Sequence, residues 1–189
     1  ILNKVILSTS DFFIVPCMPD LFSLYGIRNI GDSLKDWKKD FDILRSLLPD
    51  KKLETLPKKF VTFLGFTLYN ARKRSDSGNK LGLSKTHNYW AKQIPETMMK
   101  YIPETVRLKG PSLNLKESIG KTSVMYSHNT LPGMAQKYHL PMWDLPANVD
   151  KIEPDDVNTV APSRKIYLAT KKGYQSFARD LMSRAALMR

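Results

Sequence analysis

The chain has 189 residues, 42% hydrophobic and 25% charged, a composition that can bury a core and excludes disorder throughout. One cysteine, Cys17, and three scattered histidines (His87, His128, His139) exclude an internal disulfide framework and a Cys/His structural zinc site, and the lone thiol points to a reducing compartment. Thirty Lys and Arg against eighteen Asp and Glu give a net charge of +12, a field that attracts nucleic acid or an anionic membrane face, while no apolar run reaches the ~20 residues that span a bilayer.

The first residues, Ile1-Leu2 and Val5-Ile6-Leu7, recur at helical spacing and read as the tail of a helix cut from something longer, not as a signal peptide. Phe12 to Met18 is apolar and rich in β-formers, which predicts a strand buried on both faces of a parallel sheet, with Pro16 near its C-terminal end. Asp20 opens a long helix whose stripe is Ile27, Ile30, Leu34, Trp37, Phe41, Leu44 and Leu48, and Pro49-Asp50 ends it. Residues 50–59 read as a charged loop, and Phe60 to Tyr69 as a second buried strand. Strand, helix and strand make a crossover unit with parallel strands.

Ser84 is the expected N-cap of a helix carrying Trp90 and Ile94, which Pro95 should interrupt or restart. Residues 103–118 read as loop, Lys121 to Tyr126 as a short strand and Leu131 to Tyr138 as a short helix. Pro141 to Leu145 reads as an edge strand or extended segment, and 144–156 as an acidic loop in which Asp155 and Asp156 lack a third ligand at loop spacing. Helix 164–188 closes the chain, with Tyr167, Tyr174, Phe177, Leu181 and Met188 on one face. Arg164, Lys165, Lys171, Lys172 and Arg179 gather on the other.

The chemistry is incomplete for catalysis. Gly120-Lys121-Thr122 ends like a phosphate loop, but the motif needs glycine where Leu115 stands. No dinucleotide-binding fingerprint and no nucleophile elbow occurs, and Cys17 reads as a core residue. The basic groups carry more information. Residues 71–121 hold eleven Lys and Arg against four acids, and 157–189 hold seven against one. Arg72, Lys73 and Arg74 follow the C-terminal end of a predicted parallel strand, where open α/β sheets place ligands. The five cations of the last helix lack interleaved aromatics, which suits backbone contacts and sequence-independent DNA binding.

Ile14 to Asn29, followed by Gly31, resembles the segment after the central strand of ParA/MinD-type (deviant Walker) partition ATPases, one subgroup of which reads close to VPxxPDLFSLxGLRNLG. Phe63 to Asn70 resembles the family's next strand, Trp90 to Pro95 a WIxxIP variant, and Asn129 to Gln136 with Leu140-Pro141-Met142 its late LxxMAQxxxxP block. The resemblance runs from residue 1 to about residue 145, and its first block is the specific one.

It implies a three-layer α/β/α, P-loop NTPase-like fold with a mostly parallel sheet, represented by one partial domain over 1–189, the C-terminal two-thirds of the family's domain. It also implies ATP and Mg²⁺, a homodimer, nonspecific DNA, a ParB-type adaptor protein and a cytoplasmic, nucleoid-associated location. The family's phosphate loop and magnesium-binding Asp lie upstream of the matched segment, so no catalytic residue and no metal ligand is assigned here. Asn70 falls where the family places a group near the adenine. The expected DNA-binding residues are Arg72, Lys73, Arg74, Arg164, Lys165, Lys171, Lys172 and Arg179. The alternatives are a non-catalytic basic DNA-binding or adaptor module and a structural remnant.

Overall fold

A computed structural model describes residues 2–74, 77–111, 113–121, 124–126, 131–162 and 164–188. Helix α1 (Leu2–Thr9) leads into strand β1 (Phe12–Cys17) and then helix α2 (Leu21–Leu47). A short helix α3 (Asp50–Leu53) precedes strand β2 (Thr62–Ala71), helix α4 (Lys85–Tyr101) and strand β3 (Val124–Tyr126). Helices α5 (Leu131–Lys137), α6 (Pro154–Val160) and α7 (Arg164–Ala186) complete the chain, with 3-10 segments at Glu104–Val106 before β3 and at Met142–Ala147 and Val149–Lys151 between α5 and α6. The class is mixed α/β, and the described strands form one sheet of order β1-β2-β3, parallel at both pairings.

The caps explain where the long helices begin. The Asp20 carboxylate accepts from the Ser23 N–H at 2.8 Å, and the Ser84 hydroxyl accepts from the His87 N–H at 3.4 Å, each satisfying a first-turn donor that has no partner inside its helix. Helix α2 buries Ile27, Leu34 and Phe41 against α4 and the sheet, but Leu44 and Leu47 are exposed. A 27-residue helix is about 40 Å long and a six-residue strand about 20 Å. The last turns of α2 therefore run past the strands, and the predicted stripe outlasts the core it packs on.

Five expectations need correction. Strand β1 is an edge strand of the described sheet, and only Cys17 in it is fully buried, so it is not a two-face core strand. Pro16 is exposed there, opposite Thr67 near the C-terminal end of the strand. Residues 50–53 are helical, not loop. Pro95 does not interrupt α4, which runs unbroken through it while Ala91, Ile94 and Met98 stay buried. Pro141 to Leu145 is not extended: Met142–Ala147 is a 3-10 segment that drives Leu145 into the interior, and helix α6 starts at Pro154 within the stretch expected as an acidic loop.

The main core joins α2, β2 and α4 around Phe63, Phe66, Leu68, Ile94 and Met98. Phe63 and Phe66 share this core although they are three apart in a strand. A register shift opposite Phe13/Ile14 and the positive φ of Gly65 (137°) reset the alternation between them. Leu108 donates its N–H to the Phe63 carbonyl and Ile119 to that of Phe66, so the 107–119 segment covers the half of β2 that β3 does not reach.

A second core gathers Leu145, Ile152, Val160 and Tyr167. The Tyr167 hydroxyl is buried there with no hydrogen-bond partner among the described residues, and burial pushes its pKa up. An unmade buried hydrogen bond is costly. Tyr167→Phe is therefore expected to raise stability by up to about 1 kcal/mol in urea unfolding, whereas a loss would show that the hydroxyl finds a partner in solution.

Candidate functional site

Each expected site residue has a definite place. Asn70 is exposed near the end of β2, with φ 50°, at the single register shift between Tyr69 and Ala71. Asparagine is among the few side chains that accept the left-handed region, so the backbone alone accounts for this residue type here. Its amide nitrogen lies 4.0 Å from the Met18 sulfur, across from the end of β1.

Arg72, Lys73 and Arg74 are exposed on a small antiparallel hairpin instead of a free loop. Arg74 donates its N–H to the Gly82 carbonyl at 2.9 Å, Ser84 to that of Arg72 at 3.0 Å, and Lys73 bridges Leu83. The Arg72 N–H also donates to His87 Nδ1 at 2.9 Å. The Asn79 amide brackets the Leu83 backbone at both its N–H and its carbonyl, closing the hairpin onto the start of α4.

On α7 the inner stripe is Tyr167, Thr170, Tyr174, Phe177, Leu181 and Arg184, buried or half-buried. Arg164, Lys165, Lys171, Lys172 and Arg179 are all exposed, and none is ion-paired among the described residues. Arg184 is the exception to the polarity of the helix. It is 3% exposed, grips Asp180 with two nitrogens at 3.0 and 3.1 Å, and donates a third bond to the Leu64 carbonyl at 2.8 Å.

The opposite wall is the turn at Gly120 and Lys121, both with positive φ (81° and 58°). The Gly120 N–H donates to Asp180 Oδ2 at 2.7 Å, and the Ser176 hydroxyl donates to the Gly120 carbonyl at 3.1 Å. Helix α7 thus holds the turn at both of its backbone groups. Burial acts to raise the Asp180 pKa, but Arg184, the Gly120 N–H and the charge of Lys121 outweigh it and hold the carboxyl below its usual range. Between turn and helix lies an open groove of about 560 Å³, lined by Lys121, Lys172, Gln175, Arg179 and Ser183 besides the residues already named.

The Gly120–Lys121 turn runs into β3, not from a strand into a helix, and its one glycine N–H is already committed. With Leu115 in place of the first motif glycine, these residues do not fit the triphosphate of ATP as a phosphate loop would. Thr122, and the Asn129-Thr130 part of the late block, lie outside the described residues, as does His128. Among the described residues no group of three or more His, Cys, Asp or Glu is placed to hold a metal. Asp156 is tied instead to Lys137 at 2.8 Å and to the Tyr138 hydroxyl; these bonds, Lys137 first, hold its pKa low and clasp α5 to α6. Cys17 is buried, and desolvation, aided by the charge of Asp20, pushes its thiol up to about 12, which removes the nucleophilic thiolate at neutral pH.

Comparison with protein-family models, with curated proteins and with solved structures returned no match. Among the described residues no helix is long and apolar enough to cross a membrane. The sequence pattern names both basic clusters, and Lys121 only as the end of an incomplete phosphate-loop match, and does not single out Gln175 or Arg184. Arg184 had a readable signal, a cation on the apolar stripe of a helix; the groove had none, because its walls are some fifty residues apart in the chain.

Proposed function

We propose that this chain is the part of a ParA/MinD-type partition ATPase that follows the phosphate loop, in a three-layer α/β/α arrangement, and that it contributes sequence-independent DNA binding. Its surface for DNA is the outer face of α7, Arg164, Lys165, Lys171, Lys172 and Arg179, with Arg72, Lys73 and Arg74 as a second cluster. One observation carries the DNA reading: a helix docked through its aromatic stripe presents five exposed cations that have no carboxylate partner among the described residues. Lysine and arginine without interleaved aromatics neutralise phosphates and do not read bases. Nucleotide, dimerisation and a ParB-type adaptor belong to the proposed whole protein, and no chemical step is derived for them from these residues. A non-catalytic basic DNA-binding module would use the same face and differs in needing no nucleotide.

Fluorescence anisotropy with duplexes of unrelated sequence tests the reading. Affinity is expected to fall with log[salt], at a slope of about −0.9 per phosphate contact. Replacing Lys165 and Lys171 with Gln should weaken all duplexes equally and make the slope shallower by up to about 2. Unequal losses would mean base readout, and unchanged affinity and slope would make this face a solvated surface with no role in binding. Binding that needs no ATP would favour the module over the ATPase.

A further inference from the structure

We infer that the groove between the Gly120–Lys121 turn and α7 is a phosphate-binding site. The inference deepens the proposed function, on which its preferred source of phosphate, a nucleic-acid backbone, rests. Three cations converge from two elements: Lys172 and Arg179 from α7, and Lys121 from the turn facing them. Lys172 and Arg179 stand two helical turns apart, about 10 Å along the axis. None of the three is ion-paired among the described residues.

The one carboxylate in the lining does not cancel them. Asp180 already accepts two bonds from Arg184 and one from Gly120, and its charge is balanced by the buried guanidinium. The groove therefore keeps a net positive field. Ser176 and Ser183 spend their hydroxyl protons on the carbonyls of Gly120 and Arg179. Gln175 lies between the two α7 cations in sequence, and its amide has no bond among the described residues. The donors left for a ligand are thus two ammonium groups, one guanidinium fork and one amide. That set matches a tetrahedral anion with several acceptor oxygens, and the fork of Arg179 suits phosphate oxygens two at a time. The open side of the groove admits a chain that continues past the bound phosphate.

What makes the site more than a charged surface is how Lys121 is placed. Its backbone takes a left-handed conformation, and the turn is fastened to α7 by two hydrogen bonds at Gly120. The two walls are held together before any ligand arrives, so binding does not have to order them.

The test uses the whole chain, a labelled duplex of arbitrary sequence and, separately, sodium pyrophosphate in calorimetry. Lys121→Gln, which leaves every residue of the α7 DNA face in place, should make the salt slope for duplex shallower by about 1 and leave thermal unfolding unchanged, since the side chain is exposed. Gln175→Glu, which adds a negative charge without removing a donor cation, should weaken the same ligand. Loss of duplex binding alone assigns the site to a nucleic-acid backbone; loss of pyrophosphate binding assigns it to a free phosphate. If neither ligand is affected by either variant, the groove is not a phosphate site. If Lys165→Gln with Lys171→Gln weakens duplex binding while the groove variants do not, the groove fails and the DNA face of α7 stands.

Discussion

Arg184→Ala is expected to destabilise the fold by about 3 kcal/mol, measured as a shift of the urea midpoint at constant slope. Removing one partner of a buried pair generally costs about 3–5 kcal/mol, and the lower end applies because the Asp180 side chain keeps 23% of its surface in water. Two groups lose their partner at once. Asp180 loses both guanidinium bonds, and the Leu64 carbonyl, in the interior of β2, loses its bond to Nη1. Lysine should rescue only in part, because a single ammonium cannot serve a carboxylate twice and a carbonyl at the same time.

The pH dependence has a definite sign. The folded-state pKa of Asp180 lies below its unfolded value, so its contribution is full above about pH 4 and is lost as pH falls through the folded-state value. The stability gap between the native chain and Asp180→Asn should therefore be widest at neutral pH and close below about pH 4. A gap that persists undiminished into acid would mean that the carboxylate charge is not what holds α7 to the sheet.

Why Arg184 sits there shows what a sequence can and cannot reveal. The spacing of Tyr167, Tyr174, Phe177 and Leu181 is enough to place the inner face of α7, because a helix repeats its side-chain directions every few residues. Both N-caps were legible for the same reason: Asp20 and Ser84 act on N–H groups three residues away. The parallel pairing of β1 with β2 follows from two apolar runs joined by a long amphipathic helix. Arg184 answers a carbonyl 120 residues earlier, and no periodicity reports that.

Pro95 failed as a breaker for a tertiary reason. Ile94 and Met98 on either side of it are fully buried, and Arg107 donates to the Met99 and Ile102 carbonyls at the end of α4, so contacts beyond the helix sustain it. The 3-10 turn at Met142–Ala147 was missed likewise. Leu145 is fully buried in the second core, which includes Val160 and Tyr167, and Trp143 meets the Tyr174 ring with centroids 5.3 Å apart, so partners from other helices set the turn. The groove is the extreme case: Lys121 acquires its place only when α7 closes over the turn.

Two glycines of α2 should respond to the same substitution with opposite signs. Gly31 is buried where α2 crosses the end of α4. A Cβ built there would lie 2.5 Å from the Tyr101 carbonyl oxygen and 2.7 Å from its carbon. Those are backbone atoms of a neighbouring helix, so no rotamer change relieves the contact and the helices must separate. Overpacking of this kind costs about 1–3 kcal/mol. For Gly31→Ala the gain in helix propensity, about 1 kcal/mol, offsets part of it. Valine is larger and gains less propensity, so Gly31→Val should be the more damaging of the two. Gly26 lies on the same helix with nothing within 4 Å of the corresponding Cβ. There the clash is absent and the propensity gain stands alone, so Gly26→Ala should stabilise by about 0.5–1 kcal/mol. Urea unfolding of the three variants decides it. If Gly31→Ala stabilises as much as Gly26→Ala, the close approach of α2 to Tyr101 does not hold in solution, and the crossing of α2 on α4 would have to be redrawn.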